Sequence, residues 1–178
     1  MPVAAMEPPA PGPNQPAQNQ MGLFSRDRLT EATLREIYQY LFVDLGVRVP
    51  VSGVLTRTRT VEGHSTHTLA VTNEGAAGKG LVAEALTFAL VVPDGANVIS
   101  TTGVGYKGLR RDSALAGGAQ VAVWELPKIA AGEKRTYTIT MSGDIPSTAL
   151  KGSIVTWAKP ALGPGAASRA DSVSIALK

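Results

Sequence analysis

From Pro50 onwards, apolar and polar residues alternate with a period of two. Residues 51–61 read VSGVLTRTRTV, residues 67–73 read HTLAVTN, and residues 86–92 read LTFALVV. Residues 97–102, 120–126, 135–141, 153–158 and 171–177 repeat the pattern. Each stretch is rich in Val, Ile, Thr or an aromatic residue, and most are bounded by Gly, Pro, Asn or Asp. Strands this close together, with no helices between them, predict a mainly β protein: an antiparallel β-sandwich of about seven or eight strands over residues 50–178. Trp124 and Tyr137 stand mid-strand among apolar neighbours and are expected inside it. Residues 109–117 (LRRDSALAG) suit one irregular helical turn between strands.

Upstream, the period changes. Leu34, Ile37, Tyr38, Leu41, Phe42 and Leu45 recur at helical spacing and predict one amphipathic helix over residues 29–46. Thr30 occupies the N-cap position, Glu31 complements the positive helix start, and Gly46 provides a stop. Arg35, Glu36 and Gln39 fall on the opposite side. Residues 1–28 read as an extended arm, and its first 20 residues hold six of the 12 prolines. So little apolar surface cannot offset the entropy of ordering. Pro8, Pro9, Pro11, Pro13 and Pro16 nevertheless stiffen the backbone toward polyproline II, which a partner surface can order at low cost.

Composition narrows the chemistry. The chain has no cysteine, which removes disulfides, thiolate metal sites and thiol nucleophiles together. The net charge of +3 comes from a small imbalance, with clusters at Arg57 and Arg59 and at Lys107, Arg110 and Arg111. Those clusters suffice for contact with an acidic protein or an anionic membrane surface, and are too sparse for a nucleic-acid groove. The most apolar run, residues 81–92, is shorter than the roughly 20 residues a spanning helix needs and carries Glu84. The N-terminus lacks the pattern of a signal peptide, so the chain is either cytoplasmic or a processed form.

Three motifs invite a chemical reading and a plainer one. Gly103, Gly105 and Gly108 spell GxGxxG, but a dinucleotide site needs a long helix after it, and here another strand follows. A tight loop at positive φ is the expected role. His64 and His67 are the two histidines, three apart at a turn into a strand, where they face opposite sides and are expected in solvent. No metal site is expected from them. Carboxylates such as Asp94, Asp112 and Asp144 are scattered singly, and no nucleophile elbow is present, so a non-enzyme is expected.

Between about Leu69 and Thr140 the chain resembles the immunoglobulin-like repeat domains of bacterial secreted and surface proteins. The landmarks are Val71-Thr72-Asn73, Val92-Pro93-Asp94-Gly95, VISTTG over residues 98–103, Val123-Trp124-Glu125-Leu126, and IAAGE over residues 129–133 leading into Thr136-Tyr137-Thr138-Ile139. The resemblance implies an immunoglobulin-like fold and carries no function by itself. Residues 20–42 are similar to the C-terminal end of a class I c-type cytochrome, where an axial methionine precedes a final amphipathic helix. Met21 matches that methionine, and Leu34, Ile37, Tyr38 and Leu41 match the packing positions. The CxxCH haem-attachment motif is absent, so no cofactor is expected in this chain.

Together the two resemblances imply a non-catalytic interaction subunit on the extracytoplasmic or periplasmic face of a membrane-associated redox complex, respiratory or photosynthetic. It would bridge protein subunits through the proline arm, the helix and Lys107, Arg110 and Arg111. Two alternatives stay open. One is an electron-transfer remnant in which Met21 ligates a haem supplied by a partner. The other is a carbohydrate- or surface-binding module, for which Tyr106 is the evident aromatic platform.

Overall fold

The computed structural model describes residues 31–44, 48–61, 63–111, 118–159 and 170–178. The arm prolines Pro8, Pro9, Pro11, Pro13 and Pro16, together with Met21, Thr30, Leu45 and Gly46, lie outside the described residues. The chain divides into two units, Met1–Gly46 and Val47–Lys178. In the first, α1 spans Glu31–Tyr38 and passes into a π-helical stretch, Gln39–Asp44. Ile37, Tyr38 and Leu41 are half-buried, whereas Leu34 and Tyr40 are exposed.

The second unit is built from ten strands among the described residues: β1 (Val51–Val61), β2 (His64–Asn73), β3 (Ala83–Val91), β4 (Val98–Thr102), β5 (Tyr106–Arg111), β6 (Gln120–Ile129), β7 (Lys134–Ser142), β8 (Ile154–Ala158), β9 (Ala170–Ser174) and β10 (Ala176–Leu177). They form two five-stranded sheets, β10-β1-β2-β7-β4 (sheet A) and β5-β6-β3-β8-β9 (sheet B). Pairing is antiparallel throughout except between β1 and β10.

All eight expected stretches are strands, and the count rises to ten for two physical reasons. The polar edge strand β5 shows no apolar alternation to betray it, so Leu109, Arg110 and Arg111 extend a strand where a helical turn was expected. Residues 171–177 are divided between the sheets: β9 pairs with β8 in sheet B, and β10 pairs with β1 in sheet A. At the crossing, Ile175 is buried and its N–H donates to the Ser153 carbonyl.

The core lies between the sheets. Leu55, Leu69, Val71, Ile139 and Met141 from sheet A meet Leu86, Leu90, Val155 and Trp157 from sheet B. At its centre Tyr137 of sheet A packs against Phe88 and Trp124 of sheet B, with ring centroids 4.8 and 6.0 Å apart. Trp124 and Tyr137 are thus both inside the sandwich, where the alternation predicted them. The outer face of sheet A is lined with hydroxyls, and Thr58–Thr68, Thr66–Thr140 and Thr102–Thr138 pair across strands. Such pairs suit a solvated pleated face. Sheet B differs, because Ala89, Val91, Val121 and Val123 are buried on its other side as well. Two buried faces explain why β3 reads as a continuous apolar run.

Asn73 closes β2 and is wholly buried. Its side-chain amide donates to the carbonyls of Leu81 and Ile129, at 2.9 and 3.2 Å, and its Oδ1 accepts from the Gly75 N–H at 3.1 Å. One side chain therefore ties the connection between β2 and β3 to the end of β6. Replacing it strands two carbonyls, each costing about 1–3 kcal/mol when left unpaired in the interior. Asn73→Ala is expected to lower unfolding stability by roughly 2–4 kcal/mol, measured by urea denaturation. An unchanged midpoint would contradict this role.

Candidate functional site

The turn from β4 to β5 makes a corner between the two sheets, and its glycines decide the shape. Gly103, Gly105 and Gly108 all lie at positive φ, as the tight-loop reading requires. A Cβ on Gly103 would come within 2.2 Å of the Tyr137 ring, and one on Gly105 within 2.0 Å of the Glu125 carbonyl oxygen. Only glycine lets the turn press onto the aromatic core and onto β6 at once. The Gly105 carbonyl also accepts the Glu125 N–H at 2.8 Å.

The corner opens a groove of about 470 Å³ where β5 begins beside β3 and β6. Leu126, Pro127 and Val104 supply apolar walls over the buried Leu86, and Lys107 and Glu125 supply charge. Ala85, also on the groove, is held at φ 48°, in the left-handed region that a residue with a Cβ adopts only at a cost of about 1–3 kcal/mol. The strain falls at a register shift between Glu84 and Thr87, where β3 pairs with β8. Opposite, Pro127 gives β6 a position without a backbone donor.

Charge converges on Glu125. Its Oε1 accepts from the Arg110 guanidinium at 2.9 Å, and its Oε2 lies 3.9 Å from the Lys107 ammonium. Two of the three cations singled out from sequence are therefore gathered on one carboxylate, and Arg111 stands exposed at the end of β5. Tyr106 stacks on Trp124 at 5.1 Å, and burial against it raises the phenol pKa. The surface beside the groove is apolar as well as cationic: Val104 is 75% exposed and Leu109 43%.

Sequence reasoning missed Glu125, Val104, Ala85 and Pro127 as groove residues. A proline inside an alternating strand was the available signal for an edge or an irregularity. The strain at Ala85 left no trace in residue type. Among the described residues, no three His, Asp or Glu gather in a way that could hold a metal ion. No described helix is long and apolar enough to cross a membrane.

His67 departs from expectation. Both histidines lie on β2 and on opposite faces, but His67 is wholly buried in sheet A while His64 is exposed. The alternation that separates their faces is what sends one of them inward. Neither His67 ring nitrogen makes a well-formed hydrogen bond among the described residues, and the Ile145 backbone beside the ring offsets only part of the effect of burial. Nearby, Ser65 donates to the Gly143 carbonyl and accepts from the Ile145 N–H, and Arg57 pairs with Asp144.

Burial first, then the positive charge of Arg57, holds the His67 pKa below its ordinary value of 6.5. The neutral ring is favoured in the folded state, so its contribution is complete above pH 6.5. It is lost as the pH falls from there through the lowered folded-state pKa. His67→Leu is therefore expected to flatten the fall in Tm between pH 7 and pH 5. Parallel pH profiles for variant and parent would contradict a buried neutral ring.

Comparison with known proteins adds little to this geometry. No family model matches the chain, and no curated protein matches it. Among solved structures it is similar to two of a GH20 exo-β-N-acetylglucosaminidase from Vibrio harveyi. An inactive mutant aligns with TM-score 0.46 and 8% identity, over 72% of this chain and 18% of that one. The complex with N-acetylglucosamine aligns with TM-score 0.40 and 9% identity, over the same shares. This chain thus spans less than a fifth of the enzyme it resembles.

Proposed function

We propose that this chain is a non-catalytic interaction subunit whose sandwich docks a partner protein on β5 and the adjoining groove. The observation that carries the reading is the exposure of β5. Five of its six residues are exposed and the sixth is half-buried, although the strand is anchored to the core through Tyr106 and Trp124. A rigid, solvent-facing edge with three cations, an open groove and exposed Val104 and Leu109 has the mixed character of a binding surface. Lys107, Arg110 and Arg111 steer the approach, and apolar contact supplies affinity. On the resemblance of residues 20–42 to a cytochrome tail, the partner belongs to an extracytoplasmic, membrane-associated redox complex. The proline arm and α1 add further contacts in that reading.

Charge reversal at Lys107 and Arg111 together is expected to lower retention of the chain in its native assembly by at least about tenfold, the equivalent of ~1.4 kcal/mol. Arg59→Glu, on the exposed end of β1, serves as the control and should change nothing. Tm should hold in both, because all three side chains project into solvent. Full retention of the double variant would contradict this docking face.

A further inference from the structure

We propose that Glu125 is an internal stand-in for a partner's carboxylate: it occupies Lys107 and Arg110 in the free protein and yields them when an acidic segment docks in the groove. The proposal rests on the docking face proposed above and specifies its recognition chemistry. Glu125 lies on the groove wall and spends one carboxylate oxygen on each cation, 2.9 Å from Arg110 and 3.9 Å from Lys107. All three side chains are 43–49% exposed, so solvent screens both pairs and either opens cheaply. A cationic pair already arranged to hold a carboxylate is complementary to a second carboxylate from outside. Arg111, exposed at the end of the same strand, adds a further positive charge to the patch.

The groove decides the class of partner. Its apolar walls, Leu126, Pro127 and Val104, take one aliphatic side chain beside the exchanged carboxylate. An acidic polypeptide with an apolar residue among its carboxylates satisfies both halves of the site. A flat anionic membrane would meet the cations but leave the recess unfilled.

The exchange has an unusual consequence, since removing an acidic residue must strengthen binding of an acidic ligand. The test is an NMR titration of the intact chain with a blocked Asp-Glu-Leu-Glu-Asp peptide, with its Lys-for-acid counterpart, and with phosphatidylglycerol vesicles. The acidic peptide is expected to shift the amides of residues 104–111 and 125. Glu125→Gln should tighten its binding about two- to fivefold, the range set by loss of weak exposed ion pairs. The double variant Lys107→Gln, Arg110→Gln should abolish the shifts, and the basic peptide should produce none.

Equal or weaker binding of the acidic peptide to Glu125→Gln would overturn the exchange. So would shifts confined to other residues, or vesicles perturbing β5 where the peptide does not. If the peptide fails while charge reversal still releases the chain from its assembly, the recognition chemistry is wrong and the docking face stands. If charge reversal leaves retention intact, the docking face itself falls.

Discussion

The stacking of four aromatic rings across the sandwich is the contact on which the rest of the structure depends. Phe88 meets Tyr137, Tyr137 meets Trp124, and Trp124 meets Tyr106, with centroids 4.8, 6.0 and 5.1 Å apart. The series begins in sheet B, passes through sheet A, returns to sheet B and ends on its edge strand. Tilted pairs of this kind add about 0.5–1.5 kcal/mol each beyond the area they bury. In a chain with 5% aromatic residues, four of them are committed to one line. The turn at Gly103 lies against Tyr137 so closely that no side chain fits between them. The core thereby fixes where β4 ends and where β5 begins.

That placement gives the surface its character. An edge strand is ordinarily the loosest part of a sheet, and lysines or bulges along it discourage pairing with other chains. β5 carries Lys107, and its register shifts between Tyr106 and Gly108. Its first residue is nevertheless stacked on the most deeply buried indole of the protein. The edge is guarded against indiscriminate strand pairing yet held in one position, which is what a specific docking face needs. Strain at Ala85 and the missing donor at Pro127 shape the groove next to it, and Glu125 links β6 back to β5 through its two cations.

Much of the fold was legible in the alternation, because a buried face and a solvated face impose a period of two on strands such as β1, β2 and β7. Turn residues fell where strands stop: Asn73 closes β2, and Gly95 and Gly132 turn at positive φ. The limits were equally physical. β5 places Tyr106 and Leu109 three apart among cations and a glycine, so no period of two marks it. Residues 171–177 form one run in sequence but serve two sheets. His67 is polar by type yet points inward, because strand alternation sets its direction whatever its chemistry. In the candidate site, the cations Lys107, Arg110 and Arg111 were visible as a cluster. Their gathering on Glu125 was not, because it depends on the antiparallel register of β5 against β6.

The central claim is that the aromatic series holds β5 in place as a preformed docking edge. Residue-resolved amide hydrogen exchange on the intact chain, compared with a Tyr106→Ala variant, tests it most directly. The account predicts that β5 amides bonded to β6 are protected in the parent. In the variant they should exchange at least about tenfold faster, while β6 and β7 keep their protection. Unprotected β5 amides in the parent, or protection that survives loss of the Tyr106 ring, would contradict it.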